Sequence, residues 1–161
     1  MKKRNLLFLI TFILSSFSLF AADFSIINGN WTLHYKERTK TMDFMYKGKN
    51  ILLNVYPVVK YNLEGGKENT LKPDSYTSLS IKKVRMSDTF GKGTTYTFLY
   101  TRKGLPSLRH LFYMYNKLPW FLTEVVLDNK EIIYSNYLSP ITSTTSSSFL
   151  TKSINNRNDW V

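Results

Sequence analysis

Two patterns of apolar residues divide the chain. From Leu6 to Phe20 they run on with only Thr11, Ser15, Ser16 and Ser18 between them, whereas after Asp23 they come in short segments, often alternating with polar residues. The first run follows Lys2, Lys3 and Arg4 and leads to Ala21-Ala22, the order of a cationic start, an apolar middle and a small-residue cleavage point. It spans roughly 15 residues, short of the about 20 that a membrane-spanning helix needs, and no later run approaches that length. These features predict a secretory signal peptide over 1–22, cut after Ala22, and so a periplasmic or secreted protein with no stable membrane span after cleavage. An uncleaved signal anchor is the alternative, and the Ala-Ala junction speaks against it.

Beyond Asp23 the period is two. Trp31-Thr32-Leu33-His34-Tyr35 alternates with Trp31, Leu33 and Tyr35 on one face, following a turn at Asn28-Gly29-Asn30. Met42 to Tyr46, a turn at Lys47-Gly48-Lys49-Asn50, and Ile51 to Tyr61 read as a hairpin. Pro57 lacks an N–H, which places its strand at an edge or makes it bulged there. After a polar loop from Glu64 to Asn69, continuing to Pro73-Asp74, strands are predicted over Tyr76–Met86, Thr94–Tyr100, Leu108–Tyr115, Trp120–Leu127 and Glu131–Tyr137, with Gly91-Lys92-Gly93 as one of the turns between them. No helical period stands out. Turns every roughly 8 to 12 residues point to an all-β antiparallel sandwich or barrel rather than to alternating β and α units.

Composition shifts at Ser139-Pro140, and Thr142 to Ser148 is an unbroken Ser/Thr run. The expected organisation is therefore a signal peptide (1–22), a β-sandwich domain (23–140) and a Ser/Thr/Asn-rich linker or tail (141–161). The apolar pair Trp160-Val161 after a polar stretch is what a truncated gene, or a domain cut from a longer protein, would leave.

The 139 residues left after the 22-residue leader suffice for one core. Cysteine is absent, so stability has to come from packing, and the lipid-anchored form of export signal, which needs a cysteine at its cleavage point, is missing. Eleven Tyr, eleven Phe and three Trp suit pleated strands and equally suit surfaces that stack on sugar rings. The net charge of +11 includes three leader cations, leaving 19 basic against 11 acidic residues. Those charges are scattered, as in Lys36-Glu37-Arg38, Lys82-Lys83 with Arg85, and Arg102-Lys103. Nucleic acid is not expected as a partner, because binding it wants a concentrated basic stripe; anionic polysaccharide and membrane headgroups remain compatible with the charge.

Candidate chemistry is sparse. His34 and His110 are the two imidazoles, and both read as solvated strand residues. A metal site would need both plus carboxylates, so no metal or other cofactor is expected. Ser-His-Asp chemistry finds no Gly-x-Ser-x-Gly elbow. Glu37, Asp43, Glu124, Asp128 and Glu131 lie in or beside strands without a spacing that marks a hydrolytic pair. Glu124 stands out for its apolar neighbours, and on the face of Trp120 and Leu122 it reads as a buried or half-buried paired carboxylate. The glycine turns lack phosphate-loop spacing. No catalytic residue is assigned. For carbohydrate binding the candidates are Trp31, whose place on an alternating apolar face also fits a core role, together with Trp120, Tyr113 and Tyr115 near Arg109.

Three segments carry a resemblance. Trp31-Thr32-Leu33-His34-Tyr35, the hairpin around Tyr46-Lys47-Gly48-Lys49-Asn50-Ile51-Leu52, and above all Ile133-Tyr134-Ser135-Asn136-Tyr137-Leu138-Ser139-Pro140 resemble the amino-terminal β-sandwich of secreted bacterial glycoside hydrolases related to α-galactosidases and raffinose synthases. In that family this domain is similar to the galactose-mutarotase-like supersandwich. The resemblance implies an accessory domain that packs on a catalytic (β/α)₈ barrel, with Asn158-Asp159-Trp160-Val161 where the chain passes toward it. The barrel and its aspartates are not in this sequence, so no catalytic role transfers.

Two readings lead, ahead of a small enzyme, for which no paired constellation is found. One is an exported, non-catalytic accessory domain of a carbohydrate-active enzyme, whose partners are carbohydrate or a catalytic barrel. The other is a free-standing periplasmic or secreted β protein binding a polysaccharide, a membrane surface or a protein. The first should expose a large apolar patch where a barrel would dock; the second should keep only a bounded groove.

Overall fold

A computed structural model of the chain describes residues 23–143. The expected leader with its Ala22 cleavage point, and the tail from Thr144 onward, lie outside the described residues.

Ten strands form the domain: β1 (Phe24–Asn28), β2 (Trp31–Lys36), β3 (Thr41–Tyr46), β4 (Lys49–Leu63), β5 (Asn69–Leu71), β6 (Ser78–Asp88), β7 (Gly91–Thr101), β8 (Ser107–Tyr115), β9 (Phe121–Asp128) and β10 (Ile133–Ser143). A single 3-10 turn, Pro73–Ser75, is the one helical element among the described residues. The first sheet runs β1-β2-β3-β4-β10 with β5 beside β4; the second runs β6-β7-β8-β9, and every pairing is antiparallel. The all-β antiparallel sandwich is thus the fold.

Alternation builds the core. Leu33 and Tyr35 of β2, Phe44 of β3, and Val55 and Val59 of β4 are buried against Phe98, Tyr100, Leu108, Phe112 and Val125 of the second sheet. Edge-on ring contacts lock the layers together, Phe44 to Phe112 at 5.9 Å and Phe44 to Phe121 at 5.5 Å.

Turn chemistry sets the register. Tyr46 pairs with Lys49 across a two-residue loop, and both loop residues have positive φ, Lys47 at 50° and Gly48 at 74°. That is the mirror-image turn whose twist matches the flanking strands. Pro57 sits at a bulge: Ser139 pairs with Val58 and Thr142 with Tyr56, so Pro140 and Ile141 face Pro57. The ladder slips where neither proline can donate an N–H.

Several expected boundaries move. β10 continues through Pro140 to Ser143, so the domain extends past residue 140 into the expected tail. β1 and the short β5 add to the expected strands. The β6–β7 loop is Thr89-Phe90, since Asp88 pairs with Gly91, and Gly93 lies inside β7 rather than in a turn. A Cβ on Gly93 would come 2.4 Å from the Met114 carbonyl oxygen and 3.0 Å from Tyr115 Cα, so the absent side chain lets β8 approach.

Candidate functional site

Three of the four aromatic candidates, Trp31, Trp120 and Tyr115, lie at one end of the sandwich, where the β1–β2, β3–β4, β6–β7 and β8–β9 connections meet. Two hydrogen bonds tie the sheets there: Asn28 Nδ2 donates to the Tyr115 carbonyl at 2.9 Å, and Trp31 Nε1 donates to the Pro119 carbonyl at 2.6 Å. Trp31 is half-buried, its ring 5.0 Å from both Tyr46 and Phe121. It clamps the β8–β9 loop to the first sheet.

Trp120 is 37% exposed and packs edge to face on Phe90 at 5.5 Å and Tyr115 at 5.6 Å, while Phe90 and Tyr115 are 5.7 Å apart. Phe90 is 54% exposed and Tyr115 only 2%. Tyr115 forms the floor: its hydroxyl donates to Asp88 Oδ2 at 2.8 Å, and burial, then that carboxylate, raise its pKa. Phe90 had no place among the sequence candidates, although an apolar residue in a two-residue loop is a readable signal.

Tyr113 stands apart. It donates to Glu124 Oε2 at 2.6 Å, a bond that, with burial, pushes its pKa up to about 12. Arg109 is engaged by Asp128 through two bonds, Nε–Oδ2 at 2.7 Å and Nη2–Oδ1 at 3.2 Å. The outward polar residues of β8 are therefore committed to carboxylates within the sheet. Glu124 corrects the sequence expectation: Trp120, Leu122 and Glu124 do share a face, but it is the outward one, and Glu124 is exposed. The inward face of β9 carries Val125 and Leu127.

His110 is the second correction. It is 1% exposed, inward between Leu108 and Phe112, with Nε2 3.0 Å from Thr123 Oγ1, and burial lowers its pKa to about 3. His34 lies on the outer face of the first sheet with Nδ1 3.0 Å from Ser25 Oγ. The register sets Ser25, His34 and Asp43 in one row. This is no triad, because Asp43 is held by Lys36 at 2.6 Å and by the Asn54 N–H at 2.8 Å. Among the described residues no three of His, Asp and Glu gather as a metal site requires.

The outer faces of both sheets are mixed. The first bears Ser25, Thr32, His34, Lys36, Thr41 and Asp43 together with Ile27 and Met45. On the second, register places Leu99 beside Ser80, Arg109 and Val126, Leu111 beside Lys82, Thr97 and Glu124, and Val84 beside Thr95, Tyr113 and Leu122, so aliphatic side chains stand among charged and hydroxyl-bearing ones. Val84 is 45% and Leu122 42% exposed. On β10, Tyr134, Tyr137 and Leu138 are also exposed.

No protein-family model, curated protein or solved structure matches the chain. Among the described residues no helix is long and apolar enough to cross a membrane.

Proposed function

We propose that this chain is an exported, non-catalytic β-sandwich that works by docking, as the amino-terminal accessory domain of a carbohydrate-active enzyme of the α-galactosidase kind. The observation that carries this reading is the aliphatic surface left on the outer face of β6–β9. Val84 and Leu122 are 45% and 42% exposed there, with Leu99, Leu111 and Val126 among the polar rows, and exposed apolar surface of this kind marks an interaction site. The occupant is the catalytic barrel implied by the Ile133–Pro140 segment and its neighbours.

A second reading, a free-standing exported binding protein, draws on the Phe90–Tyr115–Trp120 cluster, whose exposed rings offer apolar faces to a sugar. One experiment separates a docking domain from an enzyme. The purified chain, offered a chromogenic α-galactoside, should release no chromophore while binding an environment-sensitive apolar dye. Hydrolysis that co-purifies with the chain would overturn the non-catalytic reading, and absence of dye binding would overturn the docking face.

A further inference from the structure

The β6–β7 hairpin has a second surface that neither the docking face nor the aromatic cluster uses. Ile81, Lys83, Arg85 and Ser87 alternate onto the inward face of β6, yet β6 is the edge strand and the first sheet leaves this corner uncovered. Ile81 is 41% exposed, and Lys83, Arg85 and Ser87 are exposed as well. An open cleft of about 580 Å³ results, lined by Arg85, Ser87, Lys92, Thr94 and Asn116 together with Met86 and Gly93.

Register fixes how its polar groups stand. Arg85 pairs with Thr94 and Ser87 with Lys92, so four side chains form a square on one face of the sheet with the two cations on a diagonal. Asn116 closes the square, its N–H donating to the Lys92 carbonyl at 3.0 Å. Among the described residues, no hydrogen bond or ion pair engages any of these five side chains. The nearby carboxylate, Asp88, alternates to the opposite face and is spent on the Phe90 N–H at 2.8 Å and the Tyr115 hydroxyl at 2.8 Å.

We infer that this cleft binds an oxyanion borne on a linear acidic polysaccharide, a sulfate ester being the best match. An arginine fork, an ammonium, two hydroxyls and an amide on one concave patch supply donors on several sides of a tetrahedral group. A polymer fits better than an isolated ion because the cations continue along the strand. Lys83 lies two residues from Arg85, about 7 Å by strand rise, on the same face. Its Nζ stands 5.5 Å from the Tyr96 ring centroid, which holds it in line.

The test is calorimetric titration of the purified chain at physiological salt with a heparin-derived sulfated hexasaccharide. Its desulfated counterpart, inorganic sulfate, and vesicles of phosphatidylglycerol and phosphatidylcholine in equal parts complete the set. The hexasaccharide should bind and its desulfated form should not; inorganic sulfate should compete only at far higher concentration. Arg85→Ala with Lys92→Ala should weaken binding roughly tenfold or more, while Lys47→Ala with Lys49→Ala, removing equal charge from the β3–β4 hairpin, should change it little. Circular dichroism of both variants confirms that the strands are intact. Equal losses in the two double variants would reduce the effect to net charge and overturn the site. Binding of inorganic sulfate as tight as that of the saccharide, or a preference for the vesicles, would overturn the polysaccharide.

Discussion

His110 Nε2 lies 3.0 Å from Thr123 Oγ1, and the Thr123 hydroxyl is already committed, donating to the Leu111 carbonyl at 3.0 Å. The ring must therefore donate from Nε2 and stay neutral, with buried Nδ1 as an unpartnered acceptor. Protonation would place an uncompensated charge among Leu108, Phe98 and Phe112.

A pH dependence follows with a definite sign. The folded pKa of about 3 lies below the ordinary value of 6.5, so the unfolded chain takes up a proton first as pH falls. His110 leaves stability unchanged above the unfolded pKa and lowers it from about pH 6.5 down to about pH 3. At pH 5 the loss is about 2 kcal/mol. Unfolding free energies from urea titrations at pH 7 and pH 5 should differ by that amount, with midpoints separated accordingly, and His110→Gln, with no imidazole to protonate, should bring them together. Midpoints that separate equally in the variant would contradict this.

Gly93 is required by space, not by its backbone angles. With the Met114 carbonyl 2.4 Å from where a Cβ would sit, Gly93→Ala must push β8 away from β7 and should destabilise the domain by about 2 kcal/mol. The Tyr115 hydroxyl bond to Asp88 should loosen with it, seen as altered near-ultraviolet dichroism. Unchanged thermal unfolding would refute the close approach.

Trp31 and Trp120 should part company under mutation. Trp31→Phe removes the donor to Pro119 and should lower stability by about 1 kcal/mol, and Trp31→Ala by about 3 kcal/mol as the contacts with Tyr46 and Phe121 are lost too. Trp120→Ala should cost less than Trp31→Ala, because its ring is partly in solvent and packs on a still more exposed Phe90. Chemical denaturation of the three variants checks the order; a larger loss at Trp120 would make it a core residue.

The aliphatic residues on the outer face of β6–β9 should behave as a surface feature. Val84→Lys with Leu122→Lys should abolish apolar-dye binding while leaving the unfolding temperature within a few degrees of the parent. A large stability loss would mean that these side chains are already covered.

Where one face was apolar and the other polar, the fold was legible. β2, with Leu33 and Tyr35 against His34 and Lys36, fell into place, and the Lys47-Gly48 turn announced its hairpin. On β8 the same rule had no purchase. His110 shares its parity with Leu108, Phe112 and Met114, but Leu111, Tyr113 and Tyr115 make the opposite face nearly as apolar. Which face turned inward depended on the first sheet, and so did the exposure of Glu124 on β9. β1 follows closely in sequence on the apolar run of residues 6–20 and has no distinct start, while β5, three residues long, is held by β4 rather than by its own pattern. Trp120 and Tyr115 were reachable as aromatic candidates, but their joining to Phe90 rests on Asp88 pairing with Gly91, a register that becomes visible only once the strands are paired.

The DNA immediately downstream of the Val161 codon tests most directly the proposal that the chain is a docking domain of a longer carbohydrate-active enzyme. The proposal predicts a frame that continues, or resumes after a stop or frameshift, into a (β/α)₈ barrel with paired aspartates. A clean stop followed by an unrelated gene would contradict it.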